Sequence, residues 1–182
     1  MDAEDQRVRR ELMDQNLLGE GYHPRLEEVH RRNTTRLKEI ISEQGWPGQE
    51  LVGEDGAFTA WRIAQHSIGD PPFQRSTLLL LEDAASRGDV PAWHAAYLLD
   101  RIRMYEGKPQ IYGTQIMPNK QGDTAPWEIE DPEHVDERRA AIGLKPLSEI
   151  FRQPDPAERM SNEELKAWRR SYEEWLWKSG WR

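Results

Sequence analysis

The residues best equipped for chemistry fall into three clusters and a loop. Gln65-His66 comes first, with Asp70 four positions on. An imidazole changes charge near neutral pH and is the commonest proton carrier in catalysis. If one helix ran through both residues, Asp70 would lie a turn beyond His66 and orient its ring. The competing reading makes Asp70 the N-cap of a new helix, since Pro71 and Pro72 follow it, and a capping carboxylate points at backbone amides. Tyr97, Asp100 and Arg101 form the second cluster. Their neighbours Ala96, Leu98, Leu99 and Ile102 are apolar, so at least one of the two charges should be partly buried and need a partner.

The stretch Gly107-Lys108-Pro109-Gln110-Ile111-Tyr112-Gly113-Thr114-Gln115 can supply that partner. It joins glycines that allow close backbone approach to the neutral donors and acceptors Gln110, Tyr112, Thr114 and Gln115. It has the spacing of no phosphate-binding loop. Its bland reading is a tight loop whose side chains satisfy their own backbone. A last cluster holds Asp131, Asp136, Arg138 and Arg139, with Asp131 read as a helix cap and the arginines as exposed surface. His23, His30, His94 and His134 are scattered, and none makes a His-x-x-x-His pair. The expectation is therefore no metal and no cofactor. No serine sits in a nucleophile-elbow sequence.

These residues need elements to hold them. Residues 4–17 read as a charged helix anchored by Val8, Leu12 and Leu17, ended by Gly19 and Gly21. Pro24 to Gln44 carries a stripe at helical period, Leu26, Val29, Leu37, Ile40 and Ile41, with Asn33 standing where an apolar residue is expected. Trp46-Pro47-Gly48 is a turn. A helix over about 56–68 follows, with Asp55 as its N-cap. Helices from Pro71 to a stop at Gly88, and from about Pro91 to Tyr105, come next, the latter closed by Gly107. From 107 to 130 no period is visible, and Gln121-Gly122-Asp123 signals a hairpin turn. Asp131-Pro132 opens a helix through Ala141, and Pro146 to Phe151 makes one short turn. Gln153-Pro154-Asp155-Pro156 reads as a linker. Ser161 and Glu164 stand in capping-box spacing before a final helix bearing Leu165, Trp168, Tyr172, Trp175 and Leu176.

The expected class is thus all-α, a single compact helical bundle with a long polar loop. Residues 1–152 would form the helical domain, and 153–182 a linker and Trp-rich helix packing on the domain or on a partner. The 182 residues are 32% charged, with a formal net charge of −8, which argues against nucleic-acid and anionic-membrane partners. The absence of cysteine excludes disulfides and thiolate chemistry. Met1-Asp2-Ala3-Glu4-Asp5 lacks the apolar run of a signal peptide, and nothing approaches the roughly 18 apolar residues of a membrane helix. A cytoplasmic protein is expected. The aromatic stripe of Trp168, Tyr172, Trp175, Trp177 and Trp181 is read first as cover for the domain's own core and second as a homodimer contact.

Several stretches together resemble a bacterial family, domain of unknown function 6624. They include Gly45-Trp46-Pro47, Ala60-Trp61, Gln65-His66, Asp70-Pro71 with Phe73-Gln74, Ala96-Tyr97-Leu98 and Asp100-Arg101. The Gly107 to Gln115 loop apart from Ile111, Ile129-Glu130-Asp131-Pro132, Arg138-Arg139 and Gly143-Leu144 continue the match, over about residues 26–151. The resemblance implies no activity. It does imply that these polar residues recur as one set, which fits a shared pocket. Family members often read His-Ala-Asp-x-Asp-Pro where this chain has His66-Ser67-Ile68-Gly69-Asp70-Pro71. A mechanism needing the carboxylate two residues after the histidine would find Ile68 in its place here.

The leading expectation is a cofactor-independent enzyme acting on a small polar metabolite, one that can be anionic. His66 would move the proton, and Asp70 or Asp100 would orient it. Arg101 would hold an anionic group, while Gln65, Tyr97, Gln110, Tyr112, Thr114 and Gln115 would read the rest. The alternative is a non-catalytic helical binding protein, a partner or immunity-type module, using its acidic surface and aromatic tail.

Overall fold

The clearest stripe in the sequence makes the longest helix. In the computed structural model, which describes residues 1–15, 17, 22–151 and 155–182 (for Glu158 the backbone only), α2 spans Pro24–Gln44. Pro24 sits in its first turn, and the His23 ring accepts from the Arg25 amide. Leu26, Val29 and Leu37 are buried, and so is Asn33, whose amide donates to the Met1 carbonyl at 3.2 Å. A polar residue on the stripe therefore docks the helix before it. That helix, α1 (Asp2–Asp14), begins and ends earlier than expected. Val8 and Leu12 are buried against Leu26 and Val29, whereas Leu17 lies exposed beyond its end. The expected stops at Gly19 and Gly21, and Gln153-Pro154 of the linker, lie outside the described residues.

Helix α3 spans Gln49–His66 and corrects the expected start near residue 56. Its opening turns come before Gly53, which breaks the helical path at φ 71° and ψ 174°. Asp55 is inside the helix, so it is not the cap. That job falls to Asp89 from a distant turn, whose carboxylate accepts from the Glu50 amide at 2.8 Å. Helix α3 stops at His66 because Asp70 caps α4 (Pro71–Ser86) through the Phe73 amide. Helix α5 (Ala92–Tyr105) ends at Gly107, φ 74°.

After α5 the chain forms the hairpin β1 (Ile116–Pro118) and β2 (Thr124–Pro126), antiparallel with Met117 opposite Ala125. A 3-10 turn over Pro132–His134 leads into α6 (Val135–Ala141), then α7 (Leu147–Ile150). Asp131 caps nothing. It takes the left-handed conformation, φ 48°, and its carboxylate meets the His134 ring at 2.9 Å. A second 3-10 turn, Pro156–Glu158, precedes α8 (Asn162–Lys178), which opens with the expected Ser161–Glu164 capping box.

The architecture is all-α and compact apart from the small hairpin. Helix α4 packs on α5, α2 on α1 and α3, and α3 on α5. The main core gathers Leu37, Trp61, Ile63, Phe73, Leu81, Leu98 and Ile102, closed by Leu176 and Trp181 from the chain's last segment. Among the described residues, no helix is long and apolar enough to cross a membrane.

Candidate functional site

The hydrogen bond that His66 makes is not with Asp70 or Asp100. Its Nδ1 meets a carboxylate oxygen of Asp5, on the first turn of α1. The other oxygen of Asp5 faces His30 Nε2 at 3.1 Å, and His30 Nδ1 faces the Tyr22 hydroxyl at 2.7 Å. Three helices meet here, since α1 supplies Asp5, α2 supplies His30 and the last residue of α3 is His66. Asp5 is 1% exposed. Burial alone would raise its carboxyl, yet hydrogen bonds from His30 and His66 outweigh burial and hold it well below the usual carboxylate range.

Those partners assign the protons. An ionised Asp5 only accepts, so His30 donates from Nε2 and His66 from Nδ1. Burial pushes His66 down despite Asp5 beside it, which leaves a neutral ring with a lone pair on Nε2. His30, which donates from Nε2 to Asp5, faces the Tyr22 hydroxyl with Nδ1. Burial also pushes the Tyr22 phenol up, so it stays protonated and donates. The result is an unbroken chain, Tyr22 to His30 to Asp5 to His66. Ligand atoms of Asp5, His30 and His66 all lie within 4.8 Å of one another, so among the described residues this trio is also a set with the spacing to receive a divalent ion.

The chain ends at a cavity. A space of about 410 Å³ is bounded by Tyr22 and His30 on one side and by Tyr105, Trp168, Tyr172 and Trp175 on the others, with Arg9 among its lining residues. Tyr22 meets Trp175 edge to face at 5.9 Å, and Trp175 meets Tyr105 in the same way at 5.1 Å. Ile68 is one of the apolar walls.

Of the residues picked out in the sequence, Gln65, His66, Arg101 and Gln115 come together. Arg101 donates to the Gln65 carbonyl at 2.7 Å and to Gln115 Oε1 at 3.2 Å, and its charge is felt at His66. No carboxylate pairs with it among the described residues. Burial pushes Arg101 down, and the like charge of Arg9 adds to that. Asp100 is separated from this group by its own task. Fully buried, it accepts from the amides of Ile111, Tyr112 and Thr114 and from the Thr114 hydroxyl at 2.9 Å, so it is the anchor of the loop.

Gln110 is another brace, donating to the Gln115 and Trp127 carbonyls and accepting from the Gln115 amide. Tyr112 faces a separate surface hollow beside Leu99 and Ile142, and Tyr97 packs edge-on against Trp61 and Trp93. Asp70 is spent on its cap and on Lys38. The arginines expected at the surface hold the loop from behind. Arg138 donates to the Ile111 carbonyl, while Arg139, 1% exposed, donates to those of Tyr112 and Lys145.

Sequence reasoning passed over Asp5, His30 and Tyr22. One signal was present. His30 follows Val29 on the buried side of α2, and a histidine on a core stripe needs a partner as a buried charge does. Asp5 looked like any acid in a charged helix, and its partners lie 25 and 61 residues away.

Comparison with curated proteins and with solved structures gives no match. Residues 3–160 match the model of a family of unknown function that takes in Asp5, Tyr22, His30, His66 and Arg101 but stops short of α8, and the chain belongs to that family, DUF6624.

Proposed function

We propose that this protein is an enzyme that moves a proton on a small molecule held in the aromatic cavity. The observation that carries this reading is the continuous relay from Tyr22, at the cavity wall, through His30 to the buried Asp5 carboxylate. A hydroxyl, an imidazole and a carboxylate in that order form a base whose charge is managed at every step. As Tyr22 Oη takes a proton from the substrate, its own proton passes to His30 Nδ1, and the imidazolium formed is held by Asp5. The reverse transfer returns the proton to product. His66 shares Asp5 from the other side and keeps a lone pair on Nε2, so it remains a candidate proton carrier. Arg101 beside it offsets negative charge as it develops. Asp70 and Asp100, both engaged elsewhere, support this chemistry only through the scaffold.

The test begins with a metabolite panel read by thermal shift, because a ligand of the folded state raises the melting temperature. Each hit is then followed by NMR in D2O for conversion or for loss of C–H signal. Tyr22→Phe removes one oxygen and leaves the ring in place. It should slow any conversion by about 100-fold or more while the thermal shift survives. Unchanged conversion in Tyr22→Phe would sink the proposal.

A second reading rests on the convergence of Asp5, His30 and His66. Two imidazoles and a carboxylate from three helices also suit a divalent transition metal, with Tyr22 then bracing His30 as an outer partner. Metal analysis after dialysis against zinc separates the two. One retained equivalent, absent in Asp5→Asn, favours the metal, and no retained metal favours the relay.

A further inference from the structure

We infer that the cavity takes a planar aromatic molecule carrying a negatively charged group, the ring held between aromatic walls and the charge turned towards Arg9. This rests on reading the cavity as the substrate site and names the class of substrate. It is narrower than the small polar metabolite that the sequence led us to expect.

The walls come first. Tyr105 from α5 and Trp168, Tyr172 and Trp175 from α8 border the same space as the Tyr22 ring. Trp168 and Tyr172 are stacked at 5.1 Å, 12° from parallel, and Tyr105 and Trp175 meet at 67°. A space bordered by both faces and edges of rings favours another flat ring, which can stack on one wall and meet the edge of another. An aliphatic ligand of equal size would gain the burial without that geometry.

Charge is the second argument, and it is independent of the first. The molecule as a whole is acidic, with a net charge of −8, yet among the described residues this cavity is lined by Arg9 and by no carboxylate. Arg101 is not part of the lining; it lies one helical turn before Tyr105 on α5 and donates to the Gln65 carbonyl and to Gln115. Neither guanidinium is paired with a carboxylate among the described residues. Asp5, behind His30, gives both oxygens to His30 and His66. With no carboxylate holding it, the Arg9 guanidinium is free to attract a ligand anion at the cavity, and it would repel a cationic ring.

Calorimetric titration of the full chain with 2-naphthoate tests this, with 2-naphthalenemethanol, cyclohexanecarboxylate and 1-naphthylmethylamine as comparators. The expected result is one site for 2-naphthoate, with affinity about tenfold or more above the uncharged ring and the ringless anion, and no binding of the amine. Arg9→Gln alters an exposed side chain and should fold normally while weakening 2-naphthoate about fivefold or more. Trp175→Leu should weaken it similarly, and Trp175→Phe should restore part of the loss.

Equal affinity for the uncharged ring removes the charge argument, equal affinity for cyclohexanecarboxylate removes the aromatic one, and no binding of 2-naphthoate overturns the inference. Tyr22→Phe separates it from the catalytic proposal. Binding retained in that variant, with conversion of a substrate also retained, defeats the catalytic role and leaves the ligand class standing. Conversion lost in Tyr22→Phe, for a substrate with neither ring nor charge, does the opposite.

Discussion

At the scale of single residues, several groups are satisfied by partners far away in sequence, and His94 is instructive because it is not. It stacks on Trp61 at 4.8 Å, its Nδ1 is buried without a partner among the described residues, and burial pushes it down to about 4. The unfolded chain takes up this proton near pH 6.5, whereas the folded protein refuses it until about pH 4. The contribution is therefore intact above about pH 6.5 and is lost between there and pH 4, a change on the order of 3 kcal/mol. His94→Phe keeps the stacking and removes the titration. Urea unfolding at pH 7 and pH 4.5 should show the variant gaining stability over wild type as the pH falls.

Asp100 is the opposite case, a buried charge with every lone pair in use. Asp100→Asn places amide hydrogens where backbone N–H groups already point and should cost about 3 kcal/mol. Amide exchange should accelerate selectively over residues 110–115. The burial of Asp100 was legible from its apolar neighbours. That its partners are the loop's own amides, and not a ligand, was not legible, because polar residues that brace a loop and polar residues that read a substrate have the same composition.

At the scale of elements, α2 and the helices around Asp70 and Ser161 follow their sequence signals closely, since proline, capping side chains and period all agree there. Helix α3 does not, because its cap, Asp89, is supplied from the turn between α4 and α5, and local sequence cannot show a cap that arrives from elsewhere. Gly53 has the look of a residue that precedes a helix, and it is instead a break within one. With φ at 71° and no atom within 4 Å of the place a Cβ would occupy, Gly53→Ala tests backbone strain alone. A loss of about 1–3 kcal/mol by urea unfolding is expected, and no loss would mean the break readily straightens. In α8 the capping box should be worth about 1 kcal/mol in Ser161→Ala.

At the scale of the whole molecule, the all-α class followed from the absence of any convincing strand pattern, and the short hairpin from its turn residues. The meeting of α1, α2 and α3 at Asp5 could not be read, since helix packing angles are set by cores and not by any one stretch. Ending the chain after Met160 removes Leu176 and Trp181 from the main core along with the cavity's aromatic wall. Their lost burial, about 4–5 kcal/mol, should lower the melting temperature by roughly 10 °C, and calorimetry measures it directly. A smaller drop would show that α8 is held more loosely than its buried residues imply.

The wall and the relay also differ in where they come from. Tyr22, His30, Asp5 and His66 fall inside the stretch shared with the family, while Trp168, Tyr172 and Trp175 fall after it. On the proposed reading, inheritance could act on them separately, keeping the relay fixed while the final helix drifts between lineages and redirects it to new molecules. A chimaera carrying another member's C-terminal segment on residues 1–160 of this chain should keep the proposed proton transfer and exchange the ligand preference.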